Sequence, residues 1–121
     1  MMTDEVKVSV RWEGKTAILD LIGDLTNFAE ETVNHAYRTV SENGADNIIL
    51  NFRENDYINS AGIAIVIGVV TEARKRNQHL ALSGLSTHFQ KIFRMVGLTQ
   101  YADLYPTVGE ALSALQGNTK G

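Results

Sequence analysis

The feature that most constrains this chain is the stretch of residues 56–70, which reads DYINSAGIAIVIGVV. One serine, Ser60, stands between a predicted strand end and a predicted helix that has no charged residue before Glu72. Backbone N–H groups and the positive end of the helix dipole point outward at such a helix start. The position therefore suits either a loop that binds a phosphate or a serine that itself receives one.

The composition is that of an ordinary globular protein and excludes several classes of function. The chain has 121 residues, of which 44% are hydrophobic and 21% charged, so a single domain is the simplest expectation. A net charge of −3 supplies no basic stripe, and we expect no direct nucleic-acid partner. The cations at positions 74–76 are expected to complement the dipole at a helix C-terminus. Because there is no cysteine, disulfides and thiolate chemistry are excluded.

The N-terminal sequence MMTDEVKVSV has no basic stretch followed by an apolar core, so no secretory signal is predicted. The longest apolar run, residues 61–70, is about half the length needed to cross a bilayer. We therefore expect a cytoplasmic protein without membrane insertion.

Hydrophobic periodicity predicts a mixed α/β domain. Val6, Val8, Val10 and Trp12 alternate with polar residues, which is typical of a half-buried strand. The remaining elements follow as strands over residues 16–22, 47–52, 79–84 and 102–105, and as helices over residues 28–41, 60–76, 86–95 and 107–115. This order predicts a single domain over residues 1–121, with an ordered core of about 5–115, in which about four helices pack on a mixed sheet of four to five strands.

Capping rules predict how the first and the last helix begin. Asn27 with Glu30 forms a capping-box pattern, and Phe28 begins the apolar stripe of the first helix. Thr107 with Glu110 forms the same pattern before the last helix.

The residues offer little for metal or nucleotide chemistry. The three histidines, His35, His79 and His88, do not pair at metal-ligand spacing, so no metal site and no cofactor are predicted. A phosphate-binding Walker loop needs a lysine where Ile63 stands. A hydrolase elbow needs a glycine two residues before Ser60, and Ile58 is there instead.

Two aspartates lie near predicted loop ends. Their convergence on one edge of the sheet would give a pair of carboxylates, but the favoured interpretation is that Asp24 and Asp56 are turn and cap residues that bind their own local backbone.

A projection of the apolar helix at about 100° per residue predicts a docking surface. The predicted core arc contains Ile63, Val66, Ile67, Val70 and Ala73. The opposite arc contains Ala61, Ala64, Ile65, Gly68 and Glu72. Small and apolar residues on an exposed arc favour close approach of a partner chain. The alternatives are that the last helix or a homodimer covers this arc.

The sequence resembles the STAS domain family, which is shared by bacterial anti-sigma-factor antagonists. The turn Asn59-Ser60-Ala61-Gly62-Ile63 is similar to the family pattern Asp-Ser-(Ser/Thr/Ala)-Gly-(Leu/Ile). Residues 19–25, LDLIGDL, resemble the family's strand-to-loop signature, and residues 93–98, FRMVGL, resemble the end of its third helix. The resemblance covers nearly the whole chain.

The resemblance implies a non-enzymatic regulator that is switched by phosphorylation. The serine that matches Ser60 is phosphorylated in the family by a partner that is both a serine kinase and an anti-sigma factor, and a serine/threonine phosphatase removes the phosphate. The positions expected to bind the kinase are Asp24, Asn59, Ser60, Ala61, Gly62, Ala64, Ile65 and Gly68.

One departure from the family pattern keeps other functions open. Asn59 stands where many phosphorylated members have aspartate, so it retains a helix cap without the charge. A STAS subunit of a lipid-transport ATPase complex or of a sensory or stress-signalling assembly is therefore the alternative. A small enzyme with Ser60 as nucleophile is the third hypothesis.

Overall fold

The computed structural model describes residues 6–53 and 56–119, with side chains up to Gln116. The strands are β1 Lys7–Glu13, β2 Thr16–Ile22, β3 Asn47–Asn51, β4 His79–Ser83 and β5 Asp103–Tyr105. The helices are α1 Glu30–Glu42, α2 Ser60–Lys75, α3 Thr87–Met95 and α4 Val108–Thr119, with short 3-10 turns at Asn27–Ala29 and Leu98–Gln100.

The five strands form one sheet in the order β1-β2-β3-β4-β5. β1 pairs with β2 in antiparallel fashion, and the other neighbours are parallel. The predicted mixed α/β sheet with four helices is confirmed. The predicted core boundary at residue 5 and the last two residues of the predicted domain lie outside the described residues.

The sheet separates two hydrophobic clusters because successive strand residues point to opposite faces. On one face, Leu19, Ile48, Leu50 and Leu82 belong to the large cluster that α1, α2 and α3 complete. On the other face, Ile18, Ile49 and Ala81 of the same strands pack against Ala111 and Leu115 of α4. Ile48, Ile49 and Leu50 of β3 are thus fully buried, as expected for a strand with helices on both faces of the sheet.

The prediction for β1 is correct in type but wrong about its burial. Val6 is buried and Val8 is half-buried, whereas Val10 and Trp12 are 42% and 41% exposed. β1 lies at the edge of the sheet, where it packs against α1 and pairs with β2 alone among the described residues.

The start of α1 also differs from the prediction. The Asn27–Glu30 capping box is wrong: Thr26 accepts a hydrogen bond from the Phe28 N–H, and a 3-10 turn precedes α1, which has no side-chain cap. Phe28 is 72% exposed and therefore does not belong to the core.

At the last helix, the Thr107 hydroxyl accepts a hydrogen bond from the Glu110 N–H, as a cap should. α4 continues to Thr119, beyond the predicted end at residue 115.

Candidate functional site

The candidate site is built where the loops after β2 and β3 meet. The Leu25 N–H donates to the Tyr57 carbonyl at 2.8 Å, and the Asn59 N–H donates to the Leu25 carbonyl at 3.1 Å. Leu25 and Ile58 form an isolated parallel bridge. Because β2 and β3 are parallel neighbours, their carboxyl ends bring both loops to one edge of the sheet, the usual place for sites in such folds.

Two aspartates cross-link these loops. Asp24 Oδ1 accepts a hydrogen bond from the Tyr57 N–H at 2.9 Å. Asp56 Oδ2 accepts one from the Gly23 N–H at 3.0 Å. The favoured interpretation of local turn bonds is wrong for both, because each carboxylate binds the backbone of the other loop. The two side chains therefore hold the β2–α1 and β3–α2 loops together.

The carboxylate of Asp56 is stabilised in its charged form. Burial raises its pKa, but the hydrogen bonds from Arg53 and from the Gly23 N–H, together with the Arg53 charge, outweigh burial and hold the pKa below its ordinary value. Arg53 binds this carboxylate through two nitrogens, at 3.0 and 3.1 Å.

The start of α2 has the predicted cap. Asn59 is extended, and its Oδ1 accepts a hydrogen bond from the Gly62 N–H at 2.8 Å. Ser60 is the first residue of the helix, and its side chain is exposed. Within the described residues the Ser60 hydroxyl has no hydrogen-bond partner. The structure therefore presents a solvent-accessible hydroxyl at the positive end of a sixteen-residue helix.

Gly62 explains how close the first turn of α2 lies to the loop after β2. A Cβ added at this position would overlap the Leu25 carbonyl oxygen and would lie 2.9 Å from Ile58 Cγ2. The same carbonyl oxygen accepts a hydrogen bond from the Asn59 N–H, and this bond holds it in place. Gly62 is thus required by packing, and its buried position makes it a support of the site rather than a contact surface.

The exposed face of α2 starts at Ser60 and is mostly small or apolar. Between Ser60 and Thr71 the exposed residues of the helix are Ser60, Ala64, Ile67, Gly68 and Thr71, while Ala61 is half-buried beside them. We call the five exposed residues the α2 surface.

The predicted face of α2 is wrong at two positions. Ile65 is only 7% exposed and belongs to the core, whereas Ile67, assigned to the core, is 37% exposed. The reason is that α2 packs against α1 and the Asn27–Ala29 turn as well as against β4. The buried arc is therefore rotated toward Ile65 and Val69, and Ile67 turns outward.

A groove lies at the far end of α2, between that helix and the end of α3. It has a volume of about 510 Å³, and its walls include Ile67, Val96 and Leu98. The Arg74 guanidinium lies 4.1 Å from the centre of the Tyr101 ring at its rim. The groove does not include Ser60.

A polar network across the sheet was not predicted from the sequence. Asn51 donates to Asp20 at 2.7 Å and accepts from the Ser83 hydroxyl at 2.8 Å, and Arg11 binds Asp20 from β1. Burial raises the pKa of Asp20, but the hydrogen bonds from Arg11 and Asn51 together with the Arg11 charge hold it below the ordinary value. The sequence gives only a weak indication of this network, because its four polar residues lie on four different strands and come together only in the folded sheet.

In the part of the chain that the structure describes, no group of three or more histidine, aspartate or glutamate side chains is arranged to hold a metal ion. No helix among the described residues is long and apolar enough to cross a membrane.

Three solved structures share this fold at low sequence identity. Phosphorylated SpoIIAA from Bacillus is 20% identical, with a TM-score of 0.68, and the match covers 90% of this chain and 99% of that one. An anti-sigma factor antagonist from Mycobacterium paratuberculosis is 16% identical, with a TM-score of 0.80 and coverages of 95% and 97%. A putative anti-sigma factor antagonist from Thermotoga maritima is 14% identical, with a TM-score of 0.74 and coverages of 90% and 94%.

The family assignment rests on a sequence match as well as on the fold. The family model of the STAS domain matches residues 7–111, which include the β2–α1 and β3–α2 loops, Ser60 and the whole of α2. The chain belongs to the STAS domain family.

Proposed function

We propose that this protein is a cytoplasmic anti-sigma-factor antagonist. It binds a serine-kinase anti-sigma factor through the start of α2 and the α2 surface, and phosphorylation of Ser60 by that kinase ends the binding. A serine/threonine phosphatase restores the active form. The protein acts by binding and is itself not an enzyme.

The observation that carries the proposal is the position of Ser60. Ser60 is exposed and is the first residue of α2. Asn59 caps this helix, and Gly62 allows its first turn to pack closely against the loop after β2. A kinase needs an accessible hydroxyl, and the adjoining α2 surface offers small side chains over which another chain can pack closely.

The geometry also indicates how a phosphate would act. A phosphoserine at a helix N-terminus meets the positive end of the dipole, so it is not expected to unfold the domain. When the kinase docks over Ser60, the added double charge has to lose its water. A cost of only ~1.4 kcal/mol weakens binding tenfold, so even modest mispairing of the phosphate is sufficient.

Phosphate transfer tests this proposal. The chain is incubated with a purified serine-kinase anti-sigma factor from the same organism and with ATP, and the phosphate is mapped by mass spectrometry. We expect one phosphate on Ser60, none on the Ser60→Ala variant, and normal transfer to the control Ser113→Ala, whose serine is exposed on α4. Binding without any transfer to Ser60 would refute the switch.

The other residues predicted to bind the kinase differ in their exposure and in their hydrogen bonds. Ala64 and Gly68 are exposed, Ala61 and Asn59 are half-buried, and Asp24 is committed to the Tyr57 N–H. We assign direct contact to Ser60, Ala64 and Gly68, with Ile67 in the place of Ile65. Asp24 and Gly62 then act by holding the surface in position.

Asn59 favours a second function on the same surface. Its side chain caps the helix but carries no charge to assist phosphate transfer. The alternative is a STAS subunit of a lipid-transport ATPase complex or of a sensory or stress-signalling assembly, in which the α2 surface binds constitutively. Affinity purification distinguishes them: a transporter ATPase recovered in place of a kinase, with Ser60 unmodified, decides for the alternative.

A further inference from the structure

β1 is the first strand of the sheet, and among the described residues its outer edge is unpaired. β1 spans seven residues and pairs only with β2 among the described residues. In an antiparallel strand, alternate residues direct their backbone N–H and C=O groups to opposite neighbours. About half of the β1 residues therefore present unpaired backbone groups at the free edge, which is a template for another strand.

The same strand exposes apolar side chains on one face. Val10 and Trp12 are 42% and 41% exposed, and Val8 precedes them on that face half-buried. Because these positions alternate with Lys7, Ser9, Arg11 and Glu13, a strand added at the edge would extend both an apolar and a polar face. Trp12 is the only tryptophan of the chain.

The order of charges makes β1 complementary to itself. If two copies pair in antiparallel fashion about Val10, Lys7 stands opposite Glu13 of the partner subunit, and Val8 stands opposite Trp12 of the partner subunit. A two-fold axis repeats each of these pairs. Opposite charges and apolar pairs directly across two strands both stabilise a sheet.

Neighbouring registers lack this complementarity. A shift by two residues in one direction places Lys7 opposite Arg11 of the partner subunit, and in the other direction it places Arg11 opposite its own copy. Like charges directly opposite each other destabilise the pair. A shift by one residue would put the apolar side chains on the wrong face. Among these registers only the one about Val10, which also pairs all seven residues of β1, satisfies both the charges and the faces.

We propose that the free edge of β1 binds the β1 strand of a second copy of this chain, so that two five-stranded sheets join into one continuous sheet. Arg11 keeps its bond to Asp20 within the same copy. The proposal is independent of the proposed function, because Ser60 lies on α2, which packs against α1 and β4 and not at the β1 edge.

The test exchanges the charges. The Lys7→Glu variant places two glutamates opposite each other twice per dimer, and Glu13→Lys places two lysines opposite each other in the same way. We expect each variant to raise the dimer dissociation constant by about tenfold or more in sedimentation velocity experiments. Mixed in equal amounts they should form a heterodimer, and the double variant Lys7→Glu/Glu13→Lys should dimerise like the wild type.

The controls separate pairing from folding. Lys91→Glu makes the same charge change on the exposed side of α3 and should leave dimerisation unchanged. Association should shift Trp12 fluorescence to shorter wavelength as the indole loses water. A wild-type chain that stays monomeric at its highest attainable concentration overturns the proposal. So does a pair of single variants that dimerise separately as well as the wild type does.

Discussion

Replacing Gly62 by alanine tests the contact that fixes α2 over the loop after β2. The added Cβ would overlap the backbone oxygen of Leu25 and lie 2.9 Å from Ile58 Cγ2. Moving that carbonyl would also disturb its hydrogen bond from the Asn59 N–H. Overpacking of this kind costs about 1–3 kcal/mol, and the better helix propensity of alanine returns at most about 1 kcal/mol. We expect a net loss of stability.

Gly68→Ala is the matched control, because it lies in the same helix and its added Cβ would meet nothing within 4 Å. This variant should gain about 0.5–1 kcal/mol from propensity alone. Urea denaturation followed by circular dichroism gives both free energies of unfolding, with equal slopes confirming comparable transitions. If Gly62→Ala is stabilised as much as Gly68→Ala, the account of how the first turn of α2 is seated is wrong.

Three further predictions concern the same framework. Asn59→Ala removes the cap on the Gly62 N–H and should cost about 1 kcal/mol in denaturation experiments, while Asn59→Asp should retain the stability; equal losses in both would argue against capping. Phe93→Ala empties a fully buried site and should cost about 3–5 kcal/mol, measured in the same way. The folded-state pKa of Asp56 is lowered from 3.8. The ionised carboxylate therefore stabilises the folded state above that value, and this stabilisation is lost as the pH falls through the folded pKa. Stability measured between pH 6 and about 3 should therefore fall less steeply for Asp56→Asn than for the wild type, and identical slopes would contradict this role.

The fold was predictable from the sequence because its elements follow local rules. Period-two alternation predicted the strand that is β1, and the short β-branched segment within residues 47–52 predicted the strand that is β3. The cap at Asn59 was predictable for the same reason, since its bond to the Gly62 N–H spans only three residues.

The hydrogen bonds that join the two loops of the site were not predictable from local rules. Asp24 and Asp56 each bind a backbone group 33 residues away, and that distance closes only when β2 and β3 lie side by side. A sequence interpretation limited to local turns assigns both carboxylates to the backbone of their own loops, and among the described residues the backbone groups that they bind belong to the other loop.

The choice of buried face on α2 depended on a neighbour that the helix pattern does not reveal. An apolar residue stands at almost every position from Ile63 to Val70, so the sequence offers several arcs of similar hydrophobicity. Packing of α2 against α1 selects the arc with Ile65 and leaves Ile67 outside. Phe28 is a related case, because the 3-10 turn that precedes α1 directs it to solvent.

The most direct test of the proposed switch is the affinity of two forms of the same chain for the serine-kinase anti-sigma factor. One form is unmodified and the other carries phosphate on Ser60 in full stoichiometry; both are titrated by calorimetry, and both melting temperatures are recorded. We predict that the phosphate weakens binding by about tenfold or more, while the melting temperature stays nearly unchanged because the charge lies at the positive end of α2. Equal affinities of the two forms, or a phosphorylated form that binds weakly only because it has lost its folded structure, would contradict the account.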